Sequence, residues 1–550
     1  MGEQPSTKMA EPMAATSSRF DRSSPITPRG ANGYVLEVLR PASALYGANG
    51  IRIAADGRLW ICEGFAKRVS SWDPVTGELR TEIPMEALIA PDDLAFDADG
   101  SAYVTDSSRI TCRRPDGTIV TLAEGLDSSN GITVDEAGNL YVNEFRVGGR
   151  LLEIDRQTGA TRVLLEGLDF PNACEKGPDG RLYLQNVVAG TVSAVDVQTG
   201  DVELVVTEGL EQVSSVKFDA HGRLYAAQSA RGIVTAIDLE SGERKTVVRM
   251  PHGAIDNIAF DAEGRLYVSS YTTGCVIRVD VSAGAEPEVI LQPGLLNVTG
   301  MAPLGDSALL VGNTTSLVTV QPDGSFDEWA PWNPFTPEAS IRSVWPIDDQ
   351  TAYMLTNDQR LYRLPRGMLF PDVLAASANL PEGELPSVVA ATGVTAITGE
   401  DADGSLLVAR SGGEVHRLAH DDSRSLVAAT GQPELTAVTM SAGLLAAVSA
   451  QAGTAVLVRD GAVSVLSGFA GPTGVAIGDG GLFVAEYPAR RVTRVDLASE
   501  QRTTVAEGLA FGLPMTDAPP FGSASLLAEP NGGILVGCDG DGSIRRIVRT

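Results

Sequence analysis

Residues 130–145 read NGITVDEAGNLYVNEF, and residues 146–167 continue RVGGRLLEIDRQTGATRVLLEG. Two short apolar runs flank the turn DEAG, whose glycine accepts the positive φ of a tight hairpin. Two more runs follow, divided by Thr158-Gly159, so the stretch predicts four short antiparallel strands. The first hairpin recurs as IAADGRLWICE (53–63), FDADGSAYVTD (96–106), KGPDGRLYLQN (176–186), FDAHGRLYAAQ (218–228) and FDAEGRLYVSS (260–270). Further turns of the Thr158-Gly159 kind stand at Thr76-Gly77, Thr199-Gly200 and Ser241-Gly242. Eight positions before each hairpin glycine stand Asn49, Asp92, Asn130, Asn172, Ser214 and Asp256, spaced by 43, 38, 42, 42 and 42 residues. A period near 40 carried by short strands predicts propeller blades, whose equivalent positions ring one axis.

Six such units run from about residue 44 to 294. Six weaker ones follow, among them LNVTGMAPLGDSALLVGN, TGVAIGDGGLFVAEY and LLAEPNGGILVGC. The expectation is an all-β chain of two six-bladed β-propellers with four-stranded antiparallel blades, since a single ring of twelve would be too open to pack its centre. The expected divisions are a disordered N-terminal arm at 1–32, a first propeller at 33–295 and a second at 296–550. The last unit lacks a fourth strand, and Val35 to Leu39 (VLEVL) can complete either propeller.

The composition narrows the function classes. No apolar run reaches the ~18 residues of a membrane span, and the first residues lack the apolar core of a secretory signal. A net charge of −28 opposes phosphate recognition, so nucleic acid is not an expected partner. The five cysteines show no C-x-x-C pairing, which fits a reducing cytosol and a cytoplasmic location. The oligomeric state is not legible.

The ring at the inner-strand starts is wholly polar, and the second-strand ends Glu63, Asp106, Glu144, Asn186, Gln228 and Ser270 fall at the same end of each hairpin. Oxygen-rich donors without clustered imidazole or thiolate suit a hard cation such as Ca²⁺. The competing reading is structural: Asn, Asp and Ser at strand starts also brace loops by local hydrogen bonds. The second half is an internal control. Its equivalent residues read Thr299, Arg342, Thr395, Thr436, Thr473 and Ser523, with no carboxylate and one arginine. Chemistry is therefore expected in the first half. Of four histidines, only His252, in PHGAIDN before Asp256, approaches the ring. The aromatic stretch EWAPWNPF, with Trp329 and Trp332, is expected to pack between the propellers.

The stretches FPNACEKGPDGRLYLQN, SSNGITVDEAGNLYVNE and IDNIAFDAEGRLYVSS resemble the senescence-marker-protein/gluconolactonase family, overlapping with NHL-type repeats. The resemblance covers about residues 44 to 294. It implies a six-bladed propeller holding a divalent cation at its mouth through one Glu, two Asn and one Asp, and hydrolysing lactones or related esters. The two Asn correspond to Asn130 and Asn172. The Glu position holds Asn49 and the Asp position holds Ser214, so Asp92 and Asp256 would have to supply the charge. Asp256-Asn257 also resembles the Asp-Asn pair of paraoxonases.

The expected function is thus a divalent-cation-dependent hydrolase opening a lactone or related cyclic ester. Its metal ligands would be Asn49, Asp92, Asn130, Asn172 and Asp256, and its proton carriers Asp256, His252 or Glu144, acting on a small-molecule substrate. The alternatives are a metal-assisted lyase or isomerase on a small organic substrate, and a non-catalytic NHL-like recognition scaffold.

Overall fold

The computed structural model describes residues 27–229, 231–250, 254–314, 316–332, 340–368, 389–399, 405–419, 423–512 and 524–550. They form eleven antiparallel sheets, with short 3-10 turns at Gly64–Ala66 and Met85–Ala87. Among them no helix is long and apolar enough to cross a membrane.

The first sheet orders Ala48–Ile53, Leu59–Glu63, Arg68–Trp72 and Leu79–Ile83 from one edge to the other. The same four-strand order recurs at 171–206, 213–249 and 255–291, and at 300–331, 341–392, 394–429 and 435–467 in the second half. The local chemistry is that expected of the repeat. Gly57, Gly138 and Gly222 turn the first hairpin at φ 83°, 82° and 78°. Before each T-G or S-G turn an aspartate caps the bend. Asp155 Oδ1 accepts the N–H groups of Gln157 and Thr158, and Asp238 does the same for Glu240 and Ser241.

The expected second and third blades are joined by their long strands into one six-stranded sheet. Ile119–Val134 pairs over 119–124 with Arg109–Arg113 and over 129–134 with Leu140–Glu144. Between the two ladders residues 125–128 have no strand partner, and the chain redirects itself at Gly125 (φ 77°) and Ser128 (φ 57°).

The N-terminal expectation also changes. Tyr34–Arg40 pairs with Ile544–Arg549, matching Val35 to Val548 and Glu37 to Arg546. The strand therefore completes the last sheet, although it precedes the first in sequence. Arg29–Gly30, within the stretch expected as a disordered arm, adds a fifth strand beside Arg502–Glu507.

The apolar core lies between sheets rather than at one centre. Trp60, Cys62, Leu94 and Val104 fill the gap between the first sheet and Pro91–Phe96 with its partner. Tyr183, Val192, Val216 and Leu224 fill the gap between the 171–206 and 213–249 sheets. Leu45, Ile51 and Leu59 meet Ala259, Tyr267 and Val276, which brings the 255–291 sheet back against the first. In the second half Val298, Leu309 and Val311 meet Leu535 and Ile544, returning the last sheet to the 300–331 sheet. Each of these large side chains is worth about 1.5–3 kcal/mol when fully buried. The arrangement is propeller-like.

Trp329 and Trp332 are buried among Leu310, Ile341, Met354 and Tyr362. They pack between two successive sheets of the second half, not between the halves as expected. Their neighbours on both sides are inward-facing strand residues, which leave an apolar slot wide enough for both indoles.

Two chain crossings join the halves side by side. The Ser43 N–H donates to Asp541 O at 2.9 Å, Arg40 Nη1 donates to Gly324 O at 2.9 Å, and Arg40 Nη2 reaches Pro293 O.

Candidate functional site

Every inner strand of the first half breaks register at its start. The shift falls between Ala48 and Ile51, Pro91 and Leu94, Pro171 and Cys174, Val213 and Ser215, and Ile255 and Ile258. The third unit shows the same shift opposite Val142 and Glu144. A bulge re-aims the side chain at that point, and here the bulges coincide with the polar ring positions. Close approach at the axis explains the Asn-Gly pairs. A Cβ on Gly50 would lie 2.5 Å from Asp93 Cα, and one on Gly131 would lie 2.4 Å from Asn172 O.

The ring divides into a charged side and a braced side. Asn130 Nδ2 donates to Asp92 Oδ2 at 3.0 Å. Burial, then the charge of Asp93, pushes Asp92 up to about 7. Burial, then Asp92 and Asp93, pushes Asp256 well above the usual carboxylate range. Asn49 stands on the strand between those carrying Asp256 and Asp92, and its buried Oδ1 has no hydrogen-bond partner. Asn172 is half-buried at the equivalent position. Ser214 serves instead as a tie, its Oγ donating to Ile255 O at 3.3 Å. His252 lies outside the described residues.

Glu144 has a different setting. It is fully buried, accepts the Asp127 N–H at 2.9 Å and pairs with Arg150 Nε at 2.7 Å and with Arg146. Burial opposes its charge, but the hydrogen bonds from Arg150 and Asp127 hold it below the usual range. Glu63 and Asp106 repeat this arrangement. Glu63 accepts the Tyr46 N–H at 3.0 Å, Arg68 Nε at 2.7 Å and the Ser70 hydroxyl. Asp106 accepts the Ile89 and Ala90 N–H groups and Arg109 Nε, all at 2.7 Å. Glu486 does the same in the second half with Ala470, Arg491 and Thr493, where no acidic inner ring exists. A carboxylate saturated by an arginine and a backbone N–H closes the hairpin end.

The deeper layers were missed at the sequence level. One residue below the ring, Ser215 Oγ donates to Asn257 Oδ1 at 2.8 Å, and Asn257 Nδ2 donates to Asp93 Oδ1 at 3.2 Å. Asp93 is 2% exposed and its Oδ2 has no partner. Two residues further, Arg52 Nη2 pairs with Glu175 at 3.1 Å, and Lys217 Nζ pairs with the same carboxylate at 2.8 Å. Charged residues in GIRIA, ACEKG and SVKFD interrupt otherwise apolar strands, and that was the available signal.

The donor chemistry bears on the cation that the resemblance implies. Among the described residues no group of three or more His, Cys, Asp or Glu stands close enough to hold a metal ion. A cation here would therefore rest on two carboxylates supplemented by amide oxygens. The unpartnered Asn49 Oδ1 and the mutually repelling Asp92 and Asp256 fit that role, because each gains from a positive charge between them.

Residues 48–272 match the family model described as SMP-30/Gluconolactonase/LRE-like region. No curated protein matches the chain. A solved gluconolactonase from Xanthomonas campestris is 18% identical, covering 45% of this chain and 93% of its own with a TM-score of 0.38. A calcium-binding regucalcin from Agrobacterium tumefaciens is 19% identical, covering 43% of this chain and 85% of its own at 0.37. The extracellular domain of a hybrid two component system from B. thetaiotaomicron is 12% identical and covers 93% of this chain and 83% of its own at 0.34. The family that the blade motifs resemble is thus the one matched over residues 48–272, an SMP-30/gluconolactonase/LRE-like region.

Proposed function

We propose that the first half is a six-bladed propeller acting as a divalent-cation-dependent hydrolase on a lactone or related cyclic ester, and that the remainder forms a second six-bladed propeller. The ring reading is supported by core clusters that fill each gap between successive sheets and return the last sheet of each half to its first. The observation that carries the activity is the meeting of Asp92 and Asp256 at the mouth, both with raised proton affinity, on either side of the unpartnered Asn49 Oδ1.

Asn49, Asp92, Asp256 and the amides of Asn130 and Asn172 would hold the ion, with Ca²⁺ best suited to an all-oxygen set. Such an ion, when bound, polarises an ester carbonyl and makes water a better nucleophile at neutral pH. The chain's own residues do the rest. Asn130 fixes one oxygen of Asp92 and so orients the other. Asp256 takes the proton from the attacking water and returns it to the ring oxygen as the carbon–oxygen bond opens. The product is a hydroxy acid. Glu144, held by Arg150 and Arg146, takes no part in this reading.

Proton release from a panel of lactones, followed with added Ca²⁺ and again with EDTA, tests the proposal. Turnover should require the cation, and Asp256→Asn should lower it by about 10²–10⁴-fold, the usual share of general acid–base catalysis. A product with a new double bond would mean a lyase. A melting temperature that ignores both Ca²⁺ and EDTA would remove the cation site from the scheme.

A further inference from the structure

The inner strands of the second half enclose their own axial cavity of about 220 Å³. Its lining contrasts with the mouth of the first half. No Asp or Glu lines it among the described residues, whereas Arg342 does. Val344, Val438, Val475 and Leu527 are among the apolar residues that border it.

Arg342 is half-buried and borders the cavity. Among the described residues its guanidinium makes neither ion pair nor hydrogen bond, and the acidic group whose charge reaches it, Glu434, is exposed. Burial pushes its pKa down to about 10, so it stays charged at neutral pH. Arg52, the axial arginine of the first half, is the control. It donates to Leu94 O at 2.9 Å and Ile132 O at 3.2 Å and pairs with Glu175. Thr395, on the next inner strand, is 3% exposed, lies outside the cavity lining, and its Oγ1 has no partner among the described residues. The neighbouring Thr299 and Thr436 hydroxyls, by contrast, donate to backbone carbonyls at 2.9–3.1 Å. A cationic fork that lines a cavity with no acid in its described lining is open to an anion supplied from outside.

We infer that the axial cavity of the second half binds a small organic carboxylate, gripped in two-pronged fashion by Arg342, with its apolar body against Val344, Val438, Val475 and Leu527. The planar fork of arginine matches a carboxylate, and the wall favours a carbon chain over a bare inorganic anion. This inference is independent of the chemistry proposed for the first half.

Calorimetric titration of the full chain with hexanoate, benzoate, inorganic phosphate and chloride tests it. Hexanoate or benzoate should bind at one site, with phosphate and chloride at least about tenfold weaker. Arg342→Met and Arg342→Lys should each weaken hexanoate at least about tenfold, because neither keeps the fork. Asp256→Asn should leave hexanoate binding unchanged. Absence of carboxylate binding, retained binding in both Arg342 variants, or equal binding of phosphate would each overturn the inference. Were Arg342→Met to misfold, Arg342→Lys, which keeps the charge, decides the matter.

Discussion

Asp92 and Glu63 show how one side-chain chemistry does opposite work in two settings. Asp92 holds its proton up to about 7, against about 3.9 in an unfolded chain. The folded protein therefore binds more protons than the unfolded one between those limits. Stability from this group is fully present below about pH 4 and is lost as pH rises through about 7. Cation-free protein should accordingly melt lower at pH 8 than at pH 5, and Asp92→Asn should flatten that slope. Ca²⁺ should raise the melting temperature more at pH 8 than at pH 5, because it competes with the proton. Differential scanning calorimetry across this range, with and without EDTA, checks both statements. Glu63, by contrast, is fully buried against Arg68, which is itself nearly so. Glu63→Ala leaves that arginine and the Tyr46 N–H without their partner and should cost about 3–5 kcal/mol in urea unfolding. Glu144→Gln should likewise act through stability. Once corrected for the folded fraction, its effect on turnover should be small beside that of Asp256→Asn.

Strands are the level at which the site is assembled. Each inner strand enters with a bulge, and the bulge turns a polar side chain toward the axis while the residues after it rejoin the apolar ladder. Asn-Gly at 49–50 and 130–131 reads in sequence as hairpin chemistry, yet the glycine is needed because a neighbouring strand passes within contact of where its Cβ would be. The strand Tyr34–Arg40 illustrates the other use of an edge. It covers the outer face of Ile544–Arg549 and carries Leu36 against the last apolar cluster. Removing residues 1–40 should uncover that edge and lower the melting of the second half by roughly 10 °C, since each kcal/mol is worth about 2–4 °C in a unit of this size. Calorimetry should show this component shifting while the first half keeps its own transition. A uniform shift of both would mean that the strand stabilises the chain as a whole.

At the scale of the molecule the two axial channels have opposite polarity. One gathers Asp92, Asp93 and Asp256, and the other holds Arg342 with no acid in its lining. The short strands and most of the four-strand units were legible, because turn glycines and strand alternation are local chemistry. So was the likeness matched over residues 48–272. Other features depended on distance in space. Nothing in VLEVL tells which edge it will meet, because strand pairing is decided by whichever open ladder the fold brings near. Glu144 and Asp256 are both acids at the ends of inner-hairpin strands, and the arginines beside Glu144 separate a braced carboxylate from one left uncompensated. The sequence by itself determined the repeating unit and the residue types that face the axis. The tertiary structure alone decided the deeper compensation, since Glu175 is neutralised by Arg52 and Lys217, 123 and 42 residues away, whose approach no local pattern encodes.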